Sequence, residues 1–177
     1  MEACLNTVFI KENPGSDTNT KKVAPPGYHW ANRAAAFHGN KSPYFWRSAC
    51  HLLGKQLGGD GLDLRNLSTC SRAANANPVA SGDPGLPQHM YTFESQVQEA
   101  VVQGQTVSYH VVPKYADTRT VPVSYEIAAR GITAGGRLGL VLDEVVPNMM
   151  YSTKNKLHFN LGLVSHNGQP VPTGGMQ

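Results

Sequence analysis

Ser48-Ala49-Cys50-His51-Leu52-Leu53-Gly54, then Gly58-Gly59 and Gly61, then Asp63-Leu64-Arg65-Asn66-Leu67, and finally Ser71-Arg72-Ala73-Ala74-Asn75: this stretch decides how the chain is read. A histidine and two asparagines lie within an otherwise Leu/Gly-rich segment, with glycines as a flexible connection between them. A histidine on one strand and an asparagine on the next share a face when the strands pair as a hairpin, so Asn66 is placed to hold or orient the imidazole of His51. The segment from Ser71 to Ala76 is short and alanine-rich, and it precedes Pro78, whose ring disfavours helical backbone at the residue before it. A single helical turn presenting Asn75 is expected there. The local expectation is therefore strand, strand, short helix.

Composition bounds what surrounds this segment. A chain of 177 residues with 40% apolar content closes one core, and 18 glycines, 12 prolines and only 15% charged residues describe a loop-rich globular domain. A net charge of +3 and a pI near 8.8 tolerate a polyanionic partner without demanding one. No window approaches eighteen apolar residues, which argues against a membrane span. Met1-Glu2-Ala3-Cys4 has an acid where a secretory leader carries lysines, so export is expected by another route or as part of a larger chain. Three cysteines cannot all pair. Cys50 and Cys70 either close a loop of twenty residues or stay as buried thiols, and Cys4 is expected to be free.

Residues 1–27 read as an edge strand at Thr7–Ile10 followed by an exposed Pro/Gly/Ser/Thr/Lys linker, residues 28–168 as the functional domain, and residues 169–177 as a frayed tail. Between Tyr28 and Trp46 aromatic residues are frequent, but no element is assigned. Phe93, Val97, Ala100 and Val101 recur at helical spacing before Gly104, which predicts a helix over 92–103 capped by Thr92. Glu94 in its first turn is readable as an anion favoured by the helix dipole. Four runs with period two, at 106–115, 121–128, 137–146 and 156–164, predict an antiparallel meander.

A lone histidine beside two leucines is also readable as a core residue, and an asparagine before a proline as a helix stop. The chemical reading is that neutral imidazole serves as a base near pH 7, while an amide oxygen serves Mg2+, a cation that keeps its waters and needs few protein ligands. A Cys/His zinc site at Cys50, His51 and Cys70 is the competing metal reading. Its spacing is not that of a zinc finger, and a fourth ligand is not apparent.

Taken together, His51-Leu52-Leu53-Gly54, Gly58-Gly59, Arg65-Asn66, Asn75 and Met90-Tyr91-Thr92-Phe93-Glu94 resemble the DNA/RNA non-specific endonucleases of the ββα-metal (His-Me finger) superfamily. That family's pattern is Asp-Arg-Gly-His followed by two asparagines and a glutamate, and the resemblance spans about residues 44–150. It implies an α+β fold in which a ββα-metal motif packs on an antiparallel β-sheet. It also implies His51 as the general base, Asn75 as the direct ligand of one Mg2+ (Mn2+ as an alternative), Asn66 as support for the histidine and the substrate phosphate, and Glu94 as the holder of metal-bound waters. Sequence-indifferent hydrolysis of DNA, with RNA as a second substrate, would leave 5′-phosphates.

One departure stands out. Ser48-Ala49-Cys50-His51 replaces Asp-Arg-Gly-His, so alanine occupies the position of the arginine that contacts phosphate. Loss of such a contact costs ~1.5–3 kcal/mol. Arg47 and Arg65 are the nearby candidates for that role; a different branch of the family or an attenuating substitution at Ala49 are the other readings. The resemblance further suggests a toxin or effector domain delivered outside its cell, with a cognate immunity protein as partner. The alternative from another class is a domain of the same fold that binds nucleic acid but is impaired in catalysis.

Overall fold

The computed structural model describes residues 1–76 and 82–165. It opens with a strand, β1 (Glu2–Leu5), followed directly by a helix, α1 (Thr7–Glu12). Thr7–Ile10 was expected as the edge strand, and the correction has a local cause. Asn6 caps the helix, its Oδ1 accepting from the Phe9 amide at 2.8 Å, and Phe9 and Ile10 turn onto the core. A second helix, α2 (Tyr28–Phe37), occupies the aromatic stretch to which no element was assigned, and its alanines Ala31, Ala34 and Ala35 are fully buried.

The decisive segment folds as expected in outline. Strands β2 (Arg47–His51) and β3 (Leu67–Ser71) form an antiparallel pair with Arg47 opposite Ser71 and His51 opposite Leu67, and a single turn, α3 (Arg72–Asn75), follows at once. Ser71 caps that turn, its Oγ accepting from the Ala74 amide at 3.0 Å. Asn66 lies just outside β3, in a 3-10 turn over Leu64–Asn66. Cys50 and Cys70 form a disulfide across the two strands, their Cα atoms 5.9 Å apart, and Cys4 is free.

The long helix, α4, covers Met90–Val102, with His89 rather than Thr92 as its cap. Three strands follow, β4 (Thr106–Lys114), β5 (Ser124–Ile132) and β6 (Leu138–Pro147), and with β1 they form one antiparallel sheet in the order β1-β4-β5-β6. The second of them starts later than predicted, because Pro122 has no amide to donate to a ladder. The run expected as a fourth meander strand is instead one arm of a separate hairpin, β7 (Met149–Ser152) with β8 (Leu157–Asn160). The tail assigned to 169–177 and the helix stop at Asn77-Pro78 lie outside the described residues.

The inner sheet face presents Val107, Tyr109, Val111, Tyr125 and Ile127 to Phe93, Val97 and Val101 of α4, and the disulfide joins the same core. Burying a large apolar side chain of this kind contributes ~1.5–3 kcal/mol. A smaller core gathers Ala31, Ala34 and Ala35 with Trp46, Val121, Met150 and Leu161. Asn148 stitches the strand pair to the rest: fully buried, it accepts from the Ser71 amide at 2.8 Å and donates to the carbonyls of Pro122 and Thr69. The β2-β3-α3 unit is thereby fixed between the two cores.

Candidate active site

Alternation along β2 puts Arg47, Ala49 and His51 on one face and Cys50 on the other. That first face borders a cavity of about 420 Å³, completed by Arg72 and Asn75 from α3, by Tyr28 from α2 and by Asp17 and Thr18 from the segment after α1. Of the residues the sequence singled out, His51, Asn75, Arg47 and Ala49 are thus brought together. Arg65 is not. It lies on the surface with its guanidinium on the carboxylate of Asp63, at 2.6 Å from Nη2 and 3.0 Å from Nε.

Residues 13–27 were expected as an exposed linker; they form a strap. The Ser16 amide donates to the Gly59 carbonyl at 3.0 Å, its hydroxyl donates to Asp60 at 2.6 Å, and that hydroxyl accepts from the Gly61 amide at 2.8 Å. Gly15 permits the approach: its φ is +66°, and a Cβ there would stand 2.3 Å from the Lys55 carbonyl oxygen. Beside it Lys55 pairs with Asp17 at 2.8 Å.

The strap reaches His51, whose Nε2 lies 3.0 Å from the Ser16 carbonyl oxygen. A carbonyl only accepts, so this bond assigns the proton to Nε2 and leaves the lone pair on Nδ1 in the neutral ring. Burial lowers the pKa of His51 below the ordinary 6.5, partly opposed by the Ser16 bond and the charges of Asp17 and Asp60. The imidazole is therefore neutral at pH 7.

Asn66 does not touch the ring. Its Oδ1 accepts from the Leu53 amide at 2.8 Å, and its Nδ2 donates to the carbonyls of Leu53 and Asp60, both at 3.1 Å. It closes the loop that leaves β2, and so fixes the backbone on which His51 ends.

Asn75 Oδ1 lies 3.0 Å from Cys50 Sγ, but a disulfide sulfur has no proton to give, so this is a packing contact. The amide oxygen beside the cavity is left without a donor among the described residues. No group of three or more His, Cys, Asp or Glu side chains arranged for a metal ion occurs among them either. This donor set suits a hard cation that takes one amide oxygen and keeps its waters. With both thiols locked in a disulfide, the zinc arrangement of Cys50, His51 and Cys70 is not built.

Glu94 is not among the residues lining the cavity; it is 7% exposed, with Gln56 Nε2 donating to it at 2.7 Å. Burial pushes its pKa up to about 7. It is not a solvated helix-end anion, since it lies beyond the first turn of α4. Gly54 makes room for it: a Cβ there would fall 2.6 Å from Oε2.

Sequence reasoning missed Ser16, Asp17, Thr18, Tyr28 and Arg72. Arg72 stands within the segment already quoted, three residues before Asn75, and that helical spacing was the available signal. A second hollow, of about 330 Å³ on the outer sheet face, carries Glu126, Asp143 and Glu144 and repels a polyanion.

Among solved structures, the fold resembles NucA from Streptococcus agalactiae with magnesium bound, at 21% identity over 90% of this chain and 72% of that one, with a TM-score of 0.59. It also resembles the Sda1 nuclease with a bound zinc ion, at 18% identity over 93% and 76% of the two chains, with a TM-score of 0.56. No curated protein sequence matches. Residues 22–132, more than half of the sequence and including the ββα unit and the glutamate helix, match the model of one family. On that match the chain belongs to the DNA/RNA non-specific endonucleases.

Proposed function

We propose that this endonuclease hydrolyses DNA, and RNA as a second substrate, with His51 as general base and one Mg2+ held at Asn75. The observation that carries the proposal is the pairing, in one cavity, of a neutral imidazole, its Nε2 tied to the Ser16 carbonyl, with an amide oxygen that has no donor among the described residues. Both are also where the family pattern has its base and its metal ligand.

In this reading a water at His51 Nδ1 gives its proton to the ring as it attacks phosphorus, and the Ser16 carbonyl keeps the resulting imidazolium oriented. Positioned proton transfer of this kind contributes on the order of 10²–10⁴-fold. Magnesium, or manganese in its place, supplies charge neutralisation at the phosphoryl oxygens and the leaving 3′ oxygen when bound. Asn66 holds the loop behind the base, and Glu94, once ionised, would be the carboxylate that accepts from the ion's waters. Arg47 supplies positive charge on the cavity face of β2, and the products carry 5′-phosphates.

An oxidising setting outside the producing cell is supported by the Cys50–Cys70 disulfide, since such bonds persist there. Delivery as a toxin or effector, with an acidic immunity protein covering the cavity, is the corresponding biological proposal.

The test is plasmid cleavage with Mg2+ and with EDTA, using the wild-type protein and His51→Ala. Cleavage that needs the metal and falls on the order of 10²–10⁴-fold in the folded variant is the expected result. Ala49 favours the alternative, a domain that binds without cutting, and absence of cleavage by the folded wild-type protein would establish that instead.

A further inference from the structure

We infer that Arg72 is the phosphate-binding arginine of this enzyme, supplied from helix α3 in place of the one that position 49 lacks. The inference rests on the phosphodiester-cleaving reading above and gives it a substrate contact.

Arg72 and Asn75 are three apart on α3, so they share one face, and both border the cavity with His51. The backbone at Arg72 is fixed, its amide donating to the Trp46 carbonyl at 2.8 Å while Ser71 caps the turn. The Arg72 Nε is buried and has no acceptor among the described residues. No ion pair among those residues involves it. A guanidinium donor left in this way needs an acceptor from outside these residues, and an anion in the cavity that Arg72 lines would supply one.

The other arginines are differently disposed. Arg65 is held by Asp63. Arg47 also borders the cavity and its Nε is likewise buried without an acceptor among the described residues, but its guanidinium carbon lies 3.6 Å from the centroid of the Tyr28 ring, and that stacking, which Arg72 lacks, already holds its charge. Ala49, on the same β2 face, leaves the space into which an arginine from that strand would otherwise extend. A guanidinium from α3 fills the same need, because its parallel N–H groups match two non-bridging oxygens of a phosphodiester.

The test separates binding from cleavage. Binding of a labelled DNA oligonucleotide is measured in EDTA across a salt series, and kcat/KM in Mg2+, for the wild-type protein, Arg72→Ala, Arg72→Lys, Ala49→Arg and the Ala49→Arg, Arg72→Ala double variant; thermal melting checks that each is folded. Arg72→Ala is expected to weaken binding about tenfold to a hundredfold, as for one charge-assisted contact. It is also expected to reduce the slope of log K against log salt by about one. Arg72→Lys should recover only part of this, since an ammonium lacks the fork. Ala49→Arg should raise kcat/KM more in the Arg72→Ala background than in the wild type, a coupling that a merely structural arginine would not produce.

A folded Arg72→Ala protein with unchanged salt slope and unchanged kcat/KM overturns the assignment while leaving the nuclease intact. Should Arg72→Ala fail to fold, Arg72→Lys decides: wild-type salt slope and kcat/KM in that variant also overturn it. Wild-type binding that depends on Arg72 without any cleavage overturns the nuclease reading while leaving the arginine assigned to phosphate.

Discussion

At the scale of single residues, the site turns on which nitrogen of His51 carries the proton. Because burial holds the imidazole pKa below 6.5, the ring is already neutral at pH 7. Under the proposed roles the acid limb of activity should therefore be set by Glu94, which must ionise and whose pKa lies at about 7, with loss through His51 protonation only at lower pH, below 6.5. A kcat/KM profile measures this directly, and activity unchanged across roughly pH 6–8 would contradict it. That His51 and Asn75 belong to one place was legible in the sequence because both are polar side chains in an otherwise Leu/Gly-rich segment, and both line the cavity. Ser16 was not, since what it contributes is a carbonyl oxygen that every residue type carries. Glu94 was visible as a position but not as a buried acid, because burial depends on the Gln56 turn packed over it.

Among elements, the loop between β2 and β3 depends on Asn66. One amide satisfies the amide and carbonyl of Leu53 and the carbonyl of Asp60, so Asn66→Ala leaves buried backbone groups unpaired. At ~1–3 kcal/mol for each group stranded, a loss of about 3 kcal/mol or more is expected in urea unfolding, together with reduced activity. A stability change under 1 kcal/mol would mean that water replaces the amide. The helix over 90–102 and the strand from Thr106 were legible because their periodicity agrees with their burial. Thr7–Ile10 misled because a four-residue apolar run suits either period, and the cap at Asn6 decided it. The 157–160 strand was seen as a strand, but pairing is a tertiary choice that alternation alone does not encode.

For the molecule as a whole, the Cys50–Cys70 bond ties the strand that carries the base to the strand that leads into α3. For a loop of twenty residues, removing it costs ~3 kcal/mol in the chain-entropy account. The Cys50→Ser, Cys70→Ser variant should melt about 10 °C lower, at 2–4 °C per kcal/mol for a chain of this size. Calorimetry at neutral pH checks it, and an unchanged melting temperature would show that the two cores hold the pair unaided. The overall α+β class was legible from the order of patterns. The second core under α2 was not, because it is assembled from Ala31, Trp46, Val121 and Leu161, which are scattered along the chain.

The edge strand β1 has its own temporal meaning. Glu2 pairs with His110 and Leu5 with Val107, so once synthesised β1 has no partner until the chain has grown by about a hundred residues more. At ribosomal rates of roughly 5–20 residues per second, that is a wait of about 5–20 s. Through that interval α1 and the strap behind it lack their anchor on the sheet. A growing chain thus carries His51 well before the strap that bonds it is anchored, and the cavity is completed only after β4 has been made.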